Sequence, residues 1–438
     1  MEKNDYPRVL IISHNCFSKT KNNGKTLSAI FEGWPDDKIA QVYFYNELPD
    51  TSVCKDYFRI TDERMLRNRR DFAGEKVNVS LPSKNPANTT VSRRSWIRKY
   101  RNFGFFGFLR NVLWSSGKWN GENLRKWLDE FCPQVVFLVG GDSVFSYGIA
   151  KKISEEFSVP LFLYYTDDYI TPRFTFDPFW WINFLWLWRS LKKVLPQVSR
   201  VFVIGEDMAS EYEEKLGKTC IPIMNSVDVE KFKSLAESAE SKREPDETIR
   251  FGYFGGLHLK RWKSLIRLGE GIKAVTERTK IDASLSIYSM NSLSKRMASK
   301  IRELEPHVKF AGSVDEKEII AEMMKYDILV HAESFDRINR HKTRLSISTK
   351  IPEYLATGKP VIAIGPEEIA SIKYLAKTGS ANVVNSLNAE GLEKTLLTMF
   401  ADFDSKKRIL KENIELARRN HSSEIIRRKV LDVLVKYK

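Results

Sequence analysis

Short apolar runs alternate with longer stretches of mixed polarity along almost the whole chain. The runs at 8–13, 39–45, 134–140, 160–166, 200–205 and 220–225 are dense in Val, Ile, Leu and Phe, without strict alternation. That is the pattern of strands buried on both faces, as in parallel sheets. A second group lies at 249–255, 285–289, 308–312, 327–333 and 360–365, and helical periodicity falls between, as at 122–131, 207–215, 316–325 and 351–357. Strand and helix in alternation predict doubly wound α/β sheets. Two groups of strands predict two such domains, 1–230 and 231–415, with a helix over 416–438 crossing back to the first. The polar, charged stretch 231–248 reads as an exposed boundary segment, and the basic, strand-poor stretch near 64–119 as an insertion with its own helices.

Length and charge refine this picture. The 438 residues carry 71 Lys+Arg against 56 Asp+Glu, a net charge of +15, with ten Trp. Such a surplus implies an anionic partner: nucleic acid, an acidic membrane or a phosphorylated substrate. Cys16, Cys54, Cys132 and Cys220 have no CxxC spacing. This argues against a zinc site or a disulfide framework and for a reducing compartment. The first apolar run, VLII at 9–12, is too short for a signal-peptide core. The longest, FWWINFLWLW at 179–188, spans only ~15 Å as a helix, about half of a ~30 Å hydrocarbon core. It cannot cross a bilayer.

The loop NNGKT at 22–26 follows the first strand and enters a helix. It has the end of a P-loop, but that motif needs glycine at position 19, which is Lys19. The NTPase reading therefore fails. Asn23 and Gly24 remain as a strand-to-helix turn that either holds a phosphate or sugar on backbone amides or is only a tight turn.

Two segments carry more specific information: IPIMNSVDVEKF at 221–232 and SISTKIPEYLATGKPVI at 346–362. Together they resemble the family-4-like glycosyltransferases of GT-B fold. Asn225, Val227, Asp228 and Phe232 match the family's P-N-G-V-D-x-x-x-F segment, with Met224 for proline and Ser226 for glycine. Glu353, Ala356, Gly358, Pro360 and Val361 match its E-A-x-A-x-G-x-P-V. GGL at 255–257, VKFAG at 308–312 and DILVHAE at 327–333 follow in the family's order. The variant spelling is most similar to bacterial enzymes of capsule or exopolysaccharide assembly. The resemblance implies an α/β GT-B protein, two Rossmann-like domains facing across a cleft. It implies a retaining, metal-independent hexosyltransferase with no cofactor, its donor a UDP-sugar ahead of a GDP-sugar.

The residues at these positions suit the chemistry. Ser348, Thr349 and Lys350 precede a helix with Pro352 in its first turn, where the missing N–H costs nothing. Hydroxyls, amides and a lysine at a helix start make a diphosphate site. Glu353 in that first turn suits ribose hydroxyls, or merely the helix dipole. Gly255 and Gly256 close the first strand of the second domain, followed by Lys260 and Arg261. The resemblance places an Arg and a Lys here to stabilise the leaving diphosphate; Gly256 stands in the arginine position and Arg261 in the lysine position. Glu333 takes the position of the donor-sugar glutamate, although nineteen residues, including RINRHKTR, separate it from Glu353. In an alternative register Leu345 occupies that position. Asp167 replaces the histidine of a His–Asp pair, and Asp168 or Asp167 either orients the acceptor hydroxyl or caps the next segment.

Residues 174–188 hold eight aromatics and lead into Arg189, Lys192 and Lys193. An apolar block beside cations suits the interface of an anionic bilayer. Trp180, Trp181, Trp186 and Trp188 are the expected membrane contacts, joined by Arg93 and Arg94 of the run RRSWIRKYR. The expected function is sugar transfer from a nucleotide-sugar to a polyprenyl-linked or saccharide acceptor in bacterial surface-glycan synthesis. The expected place is the cytoplasmic side of the plasma membrane, peripherally bound. A basic GT-B-like nucleic-acid-binding or DNA-modifying protein is the rival reading, though no nucleic acid is expected as a partner; an inactive glycan-assembly scaffold is a third.

Overall fold

A computed structural model describes residues 5–19, 22–67, 74–77, 104–240, 248–315, 317–401 and 406–437. Arg93 and Arg94 lie outside these residues. The chain forms two compact units, Met1–Ile223 with Arg427–Lys438, and Met224–Ile426.

The strands of the first unit are β1 (Val9–Ser13), β2 (Ile39–Tyr43), β3 (Asp56–Ile60), β4 (Gly74–Val77), β5 (Val135–Val139), β6 (Leu161–Tyr165), β7 (Val198–Val203) and β8 (Cys220–Pro222). They build one sheet in the order β4-β3-β2-β1-β5-β6-β7-β8. Among the described residues every pairing of this sheet is parallel except β3 with β4. β1, β2, β5 and β6 are buried at every position, because helices cover both faces of a parallel sheet. The helices used below are α1 (Asn22–Phe31), α2 (Asp62–Arg67), α3 (Gly104–Ser115), α4 (Val144–Phe157) and α5 (Pro178–Val194). β3 and β4 are strands that the hydrophobic pattern did not announce. β4 falls inside the stretch read as a helical insertion, and it extends the main sheet.

The second unit opens with α6 (Val229–Glu240), where the polarity of the chain predicted an exposed, irregular boundary. A helix accommodates that composition because its surface positions need no apolar residues, while Val229 and Phe232 are buried anchors. The strands are β9 (Ile249–Phe254), β10 (Ala283–Tyr288), β11 (Val308–Gly312), β12 (Ile328–Ala332), β13 (Val361–Ile364) and β14 (Asn382–Val384). All pairings are parallel, in the order β11-β10-β9-β12-β13-β14. The helices used below are α7 (Arg261–Thr279), α8 (Arg337–Thr343), α9 (Lys350–Ala356) and α10 (Lys406–His421).

Both sheets reverse strand order once, between β1 and β5 and between β9 and β12. Ligands of doubly wound folds sit outside the carboxyl ends of the strands at that reversal. The chain places Asn23–Gly24 after β1 in the first unit, and Gly255–Arg261 after β9 with Glu333 after β12 in the second.

Candidate functional site

In the second unit, Lys260 is the N-cap of α7 in the left-handed region, at φ 62°. This turns the chain so that Arg261 opens the helix and reaches Glu333. Arg261 donates Nε–H to Glu333 Oε2 at 3.1 Å and Nη2–H to Oε1 at 3.0 Å. The pair is deeply placed, with side-chain exposures of 18% and 4%. Ser264 Oγ donates to the Glu333 carbonyl at 2.6 Å, fixing the end of β12 on the first turn of α7. Burial works against the charge of Arg261, but Glu333 and Tyr253 outweigh it and raise its pKa. Burial pushes the Glu333 carboxyl upward against the opposing pull of Arg261. The guanidinium is a fixed cation at the strand-order reversal.

Lys260 Nζ donates to Asp336 Oδ2 at 2.5 Å. Asp336 is also the N-cap of α8, accepting from Asn339 N. The residues that separate Glu333 from Glu353 therefore include a helix, and Leu345 beyond it is buried. Gly256, in the family's arginine position, has a neighbour that explains the missing side chain. A Cβ there would come within 2.3 Å of His258 Nδ1. Burial and the nearby Arg261 lower the His258 pKa. The loop is held by Leu257 N donating to Asn291 Oδ1 at 2.9 Å and Tyr253 OH donating to the Gly256 carbonyl at 2.8 Å.

Ser348, Thr349, Lys350 and Glu353 gather at the start of α9. Lys350 N donates to Ser348 Oγ at 3.3 Å, and Lys350 Nζ to Glu353 Oε2 at 2.5 Å. Tyr354 pins this helix to the end of β9, accepting from Phe254 N at 3.1 Å and donating to its carbonyl at 3.3 Å. The α9 start thus lies beside the Gly255 loop. Asn225 donates Nδ2–H to the Ile347 carbonyl at 3.2 Å, tying the 221–232 motif to the same loop. His421 at the end of α10 meets the Asn225 carbonyl through Nδ1 at 3.0 Å.

His331 is a site residue that the sequence reading passed over. It is buried on β12, its Nε2 3.1 Å from Ser371 Oγ and 3.7 Å from Glu333 Oε1. Burial and the Arg261 cation lower its pKa to about 3, so the ring is neutral at ordinary pH. Its signal was a lone histidine inside the apolar strand DILVHAE.

In the first unit, the loop after β1 folds back on α1. A Cβ on Gly24 would lie 2.2 Å from the Cys16 carbonyl oxygen, so only glycine fits. Gln41, buried on β2, donates Nε2–H to Ser13 Oγ at 2.8 Å and accepts from Phe17 N at 3.1 Å. Glu47 accepts from Asn15 Nδ2 and Cys16 N, and Asp50 from Ser18 Oγ and Lys19 N. None of these three was singled out in the sequence; the polar Gln41 inside the strand IAQVY was the available signal. Asn23 Oδ1 lies 3.4 Å from Thr166 Oγ1, joining the β1 and β6 ends. Asp167 is exposed beside it. Asp168 accepts from Tyr212 OH at 3.1 Å and Thr171 N at 3.2 Å, the capping geometry of the two alternatives.

The tryptophans of α5 divide. Trp181 is exposed; Trp180, Trp186 and Trp188 are half-buried. Trp180 stacks on Phe184, Trp186 lies against Phe108, and Trp188 donates to the Ile170 carbonyl. Helix packing draws these three rings inward and leaves Trp181, Ile182 and Leu185 outward, alongside Phe105, Phe106, Leu109 and Val112 of α3. The two helices meet closely because Gly104 has no side chain: a Cβ there would lie 2.3 Å from Trp180 N. Asn183 bridges them, donating to the Gly104 carbonyl and accepting from Asn111. Among the described residues no helix is long and apolar enough to cross a membrane. Among the same residues no three His, Cys, Asp or Glu side chains gather as a metal-holding group.

Residues 248–402 match the family model of glycosyl transferases group 1. No curated protein matches the chain. Among solved structures, HepE of Anabaena in complex with UDP is similar over 98% of this chain and 100% of its own, with TM-score 0.63 and 13% identity. A glycosyltransferase from Rickettsia africae is similar over 99% of both chains, with TM-score 0.61 and 13% identity. Sucrose-phosphate synthase from Thermosynechococcus elongatus is similar over 98% of both, with TM-score 0.61 and 12% identity. The fold is GT-B, two Rossmann-like α/β domains with parallel sheets.

Proposed function

We propose that this protein is a metal-independent, retaining glycosyltransferase that moves a hexosyl group from a UDP-sugar, held by the second unit, to a saccharide acceptor held by the first. The observation that carries the reading is the Arg261–Glu333 pair. It places a fixed guanidinium at the strand-order reversal of β9 and β12, within the segment that matches group 1 glycosyltransferases. A cation there stabilises the charge that grows on the nucleoside diphosphate as the sugar–phosphate bond breaks. Lys260, Lys350 and the Gly256 amide would share that task, with Ser348 and Thr349 on phosphate oxygens and Glu353 on the ribose. Glu333 would act mainly by positioning Arg261, since both of its carboxylate oxygens are engaged by that residue. The leaving phosphate could then accept the acceptor's proton on the face where the new bond forms.

Isothermal titration with UDP, GDP and their hexose conjugates tests this directly. UDP binding that Arg261→Ala and Glu353→Ala each weaken is the expected result. GDP binding alone would overturn the nucleotide assignment, and failure of every nucleotide to bind would overturn the transferase reading in favour of an inactive scaffold.

We further propose peripheral attachment to an anionic bilayer, with a lipid-linked acceptor and a role in surface-glycan synthesis. The specific observation is the outward apolar face of α3 and α5, which continues along α5 into exposed Arg189, Lys192 and Lys193. Exposed aromatics beside a cationic strip suit anionic headgroups. Cosedimentation with phosphatidylglycerol vesicles, absent with phosphatidylcholine vesicles, is expected. Salt-sensitive DNA binding without vesicle binding would replace this reading with the nucleic-acid one.

A further inference from the structure

The first unit contains a cationic cavity of about 390 Å³ at the carboxyl end of β3, lined by Arg59, Arg64, Arg67, Glu63 and Glu75. Its arginines are unequally engaged. Arg59 faces Glu75 across the antiparallel β3–β4 pair and donates to it from Nε at 3.1 Å and Nη2 at 2.5 Å. Its Nη1 serves Asn46 Oδ1 at 3.1 Å and the Glu47 carbonyl at 3.4 Å. Arg59 is therefore consumed by the wall of the cavity. Arg64 touches Glu75 through Nη2 alone, and Arg67, exposed, has no hydrogen-bond or ion-pair partner among the described residues. The two lie three residues apart on α2, on one face of the helix. Most of their N–H donors remain available to a guest.

We propose that this cavity binds a phosphate group, held by Arg64 and Arg67, and that the phosphate belongs to the acceptor. Guanidinium forks match phosphate oxygens two by two, and two cations meet the charge of a phosphate dianion better than that of a single carboxylate. Location supports the assignment. β1, β2 and β3 are consecutive parallel strands, so the cavity opens at the same sheet edge as the Asn23–Gly24 loop. Two strand spacings put it about 10 Å along that edge. Glu47 links the two places: its carboxylate holds Asn15 and Cys16, and its carbonyl accepts from Arg59. An acceptor with its reacting hydroxyl near the β1 loop would set a phosphate in the cavity. The inference rests on the reading of the first unit as the acceptor unit.

Calorimetric titration of the full chain tests it, with UDP present in excess so that diphosphate sites of the second unit are filled. Inorganic phosphate, glucose 1-phosphate and farnesyl diphosphate are the probes. The first measures the anion alone, the second a saccharide phosphate and the third a lipid-carrier diphosphate. Tighter binding of the second or third than of the first is expected, and whichever is tighter identifies the source. The double variant R64Q/R67Q should weaken that binding at least about tenfold, leaving UDP affinity unchanged. Arg67→Gln alone, at an exposed position, should weaken it severalfold and serves if the double variant does not fold. Wild-type protein that binds none of the probes, or variants that bind them as the wild type does, would overturn the proposal. UDP binding in the same series tests the transferase reading separately: loss of the phosphate site with intact UDP binding removes only this inference.

Discussion

Arg261 and Glu333 lie seventy-two residues apart in sequence and form a two-point ion pair, at 3.0 and 3.1 Å, across the ends of β12 and α7. Removing the cation leaves a buried carboxylate alone. Arg261→Met should therefore cost about 3–5 kcal/mol of stability, and Glu333→Gln less, because the neutral amide keeps one hydrogen bond. In turnover, Arg261→Met should lose about 3–4 kcal/mol of barrier lowering, or two to three orders of magnitude. Urea unfolding and steady-state kinetics measure the two effects separately. A Glu333→Gln variant with wild-type turnover would show that the guanidinium does not need its partner to stay in place.

Gly24 faces the backbone of Cys16, with no movable side chain between them. Gly24→Ala should destabilise the first unit by about 1–3 kcal/mol, the cost of overpacking against a fixed oxygen. If the β1 loop holds the acceptor, its KM should rise while UDP affinity stays constant. A neutral effect on both would mean the loop moves aside freely.

The outward faces of α3 and α5 separate membrane contact from packing. Leu109→Ser and Leu185→Ser should reduce binding to anionic vesicles with little loss of stability, since both side chains are about half exposed, at 45% and 53%. Trp188→Phe, which gives up an inward hydrogen bond to Ile170, should instead lower the melting temperature and leave vesicle binding intact. Cosedimentation and thermal denaturation of the same variants decide between these outcomes.

Two buried histidines set an acid limit. Burial, aided at His331 by Arg261, lowers the pKa of His331 to about 3; burial lowers His421 to about 4. Each native ring resists a proton that the unfolded chain accepts near the ordinary histidine value. Stability from these groups is complete above about pH 6.5 and is lost as pH falls toward the native values. At about pH 5 the loss should be on the order of 2 kcal/mol for each. Denaturant midpoints from about pH 7.5 to 5 should fall less steeply in His331→Gln than in the wild type. Parallel curves would mean that His331 does not carry the effect.

Much of the architecture was readable because parallel strands are largely apolar on both faces: eleven of the described strands stood out as short runs rich in apolar residues. β3 escaped because DYFRI mixes charge with aromatics, β4 because GEKV is an edge strand with little to bury, and β14 because NVV is only three residues long. α6 escaped because its large apolar residues, Val229, Phe232 and Leu235, are few and confined to its N-terminal part, leaving no sustained helical periodicity. Of the candidate site, the loops were legible, since glycine, proline and capping residues act locally. Arg261, Glu333 and Glu353 stood out by their place in motifs, whereas His331, Gln41 and Glu47 did not. Their significance lies in partners that no local spacing specifies.

By itself, the sequence determined the alternation of strand and helix, the positions of the strand-end loops and the surplus of positive charge. Hydrophobic periodicity and backbone preference act over a few residues, and a chain displays both directly. Only the tertiary structure decided that Arg261 would close on Glu333 and that three of the four tryptophans of α5 would turn inward. It alone gathered Arg64, bound to Glu75 through one nitrogen, and the exposed Arg67 around a cavity at the end of β3. Such outcomes depend on which strands become neighbours and how closely helices pack, and that closeness is set by burial and steric fit across the whole unit.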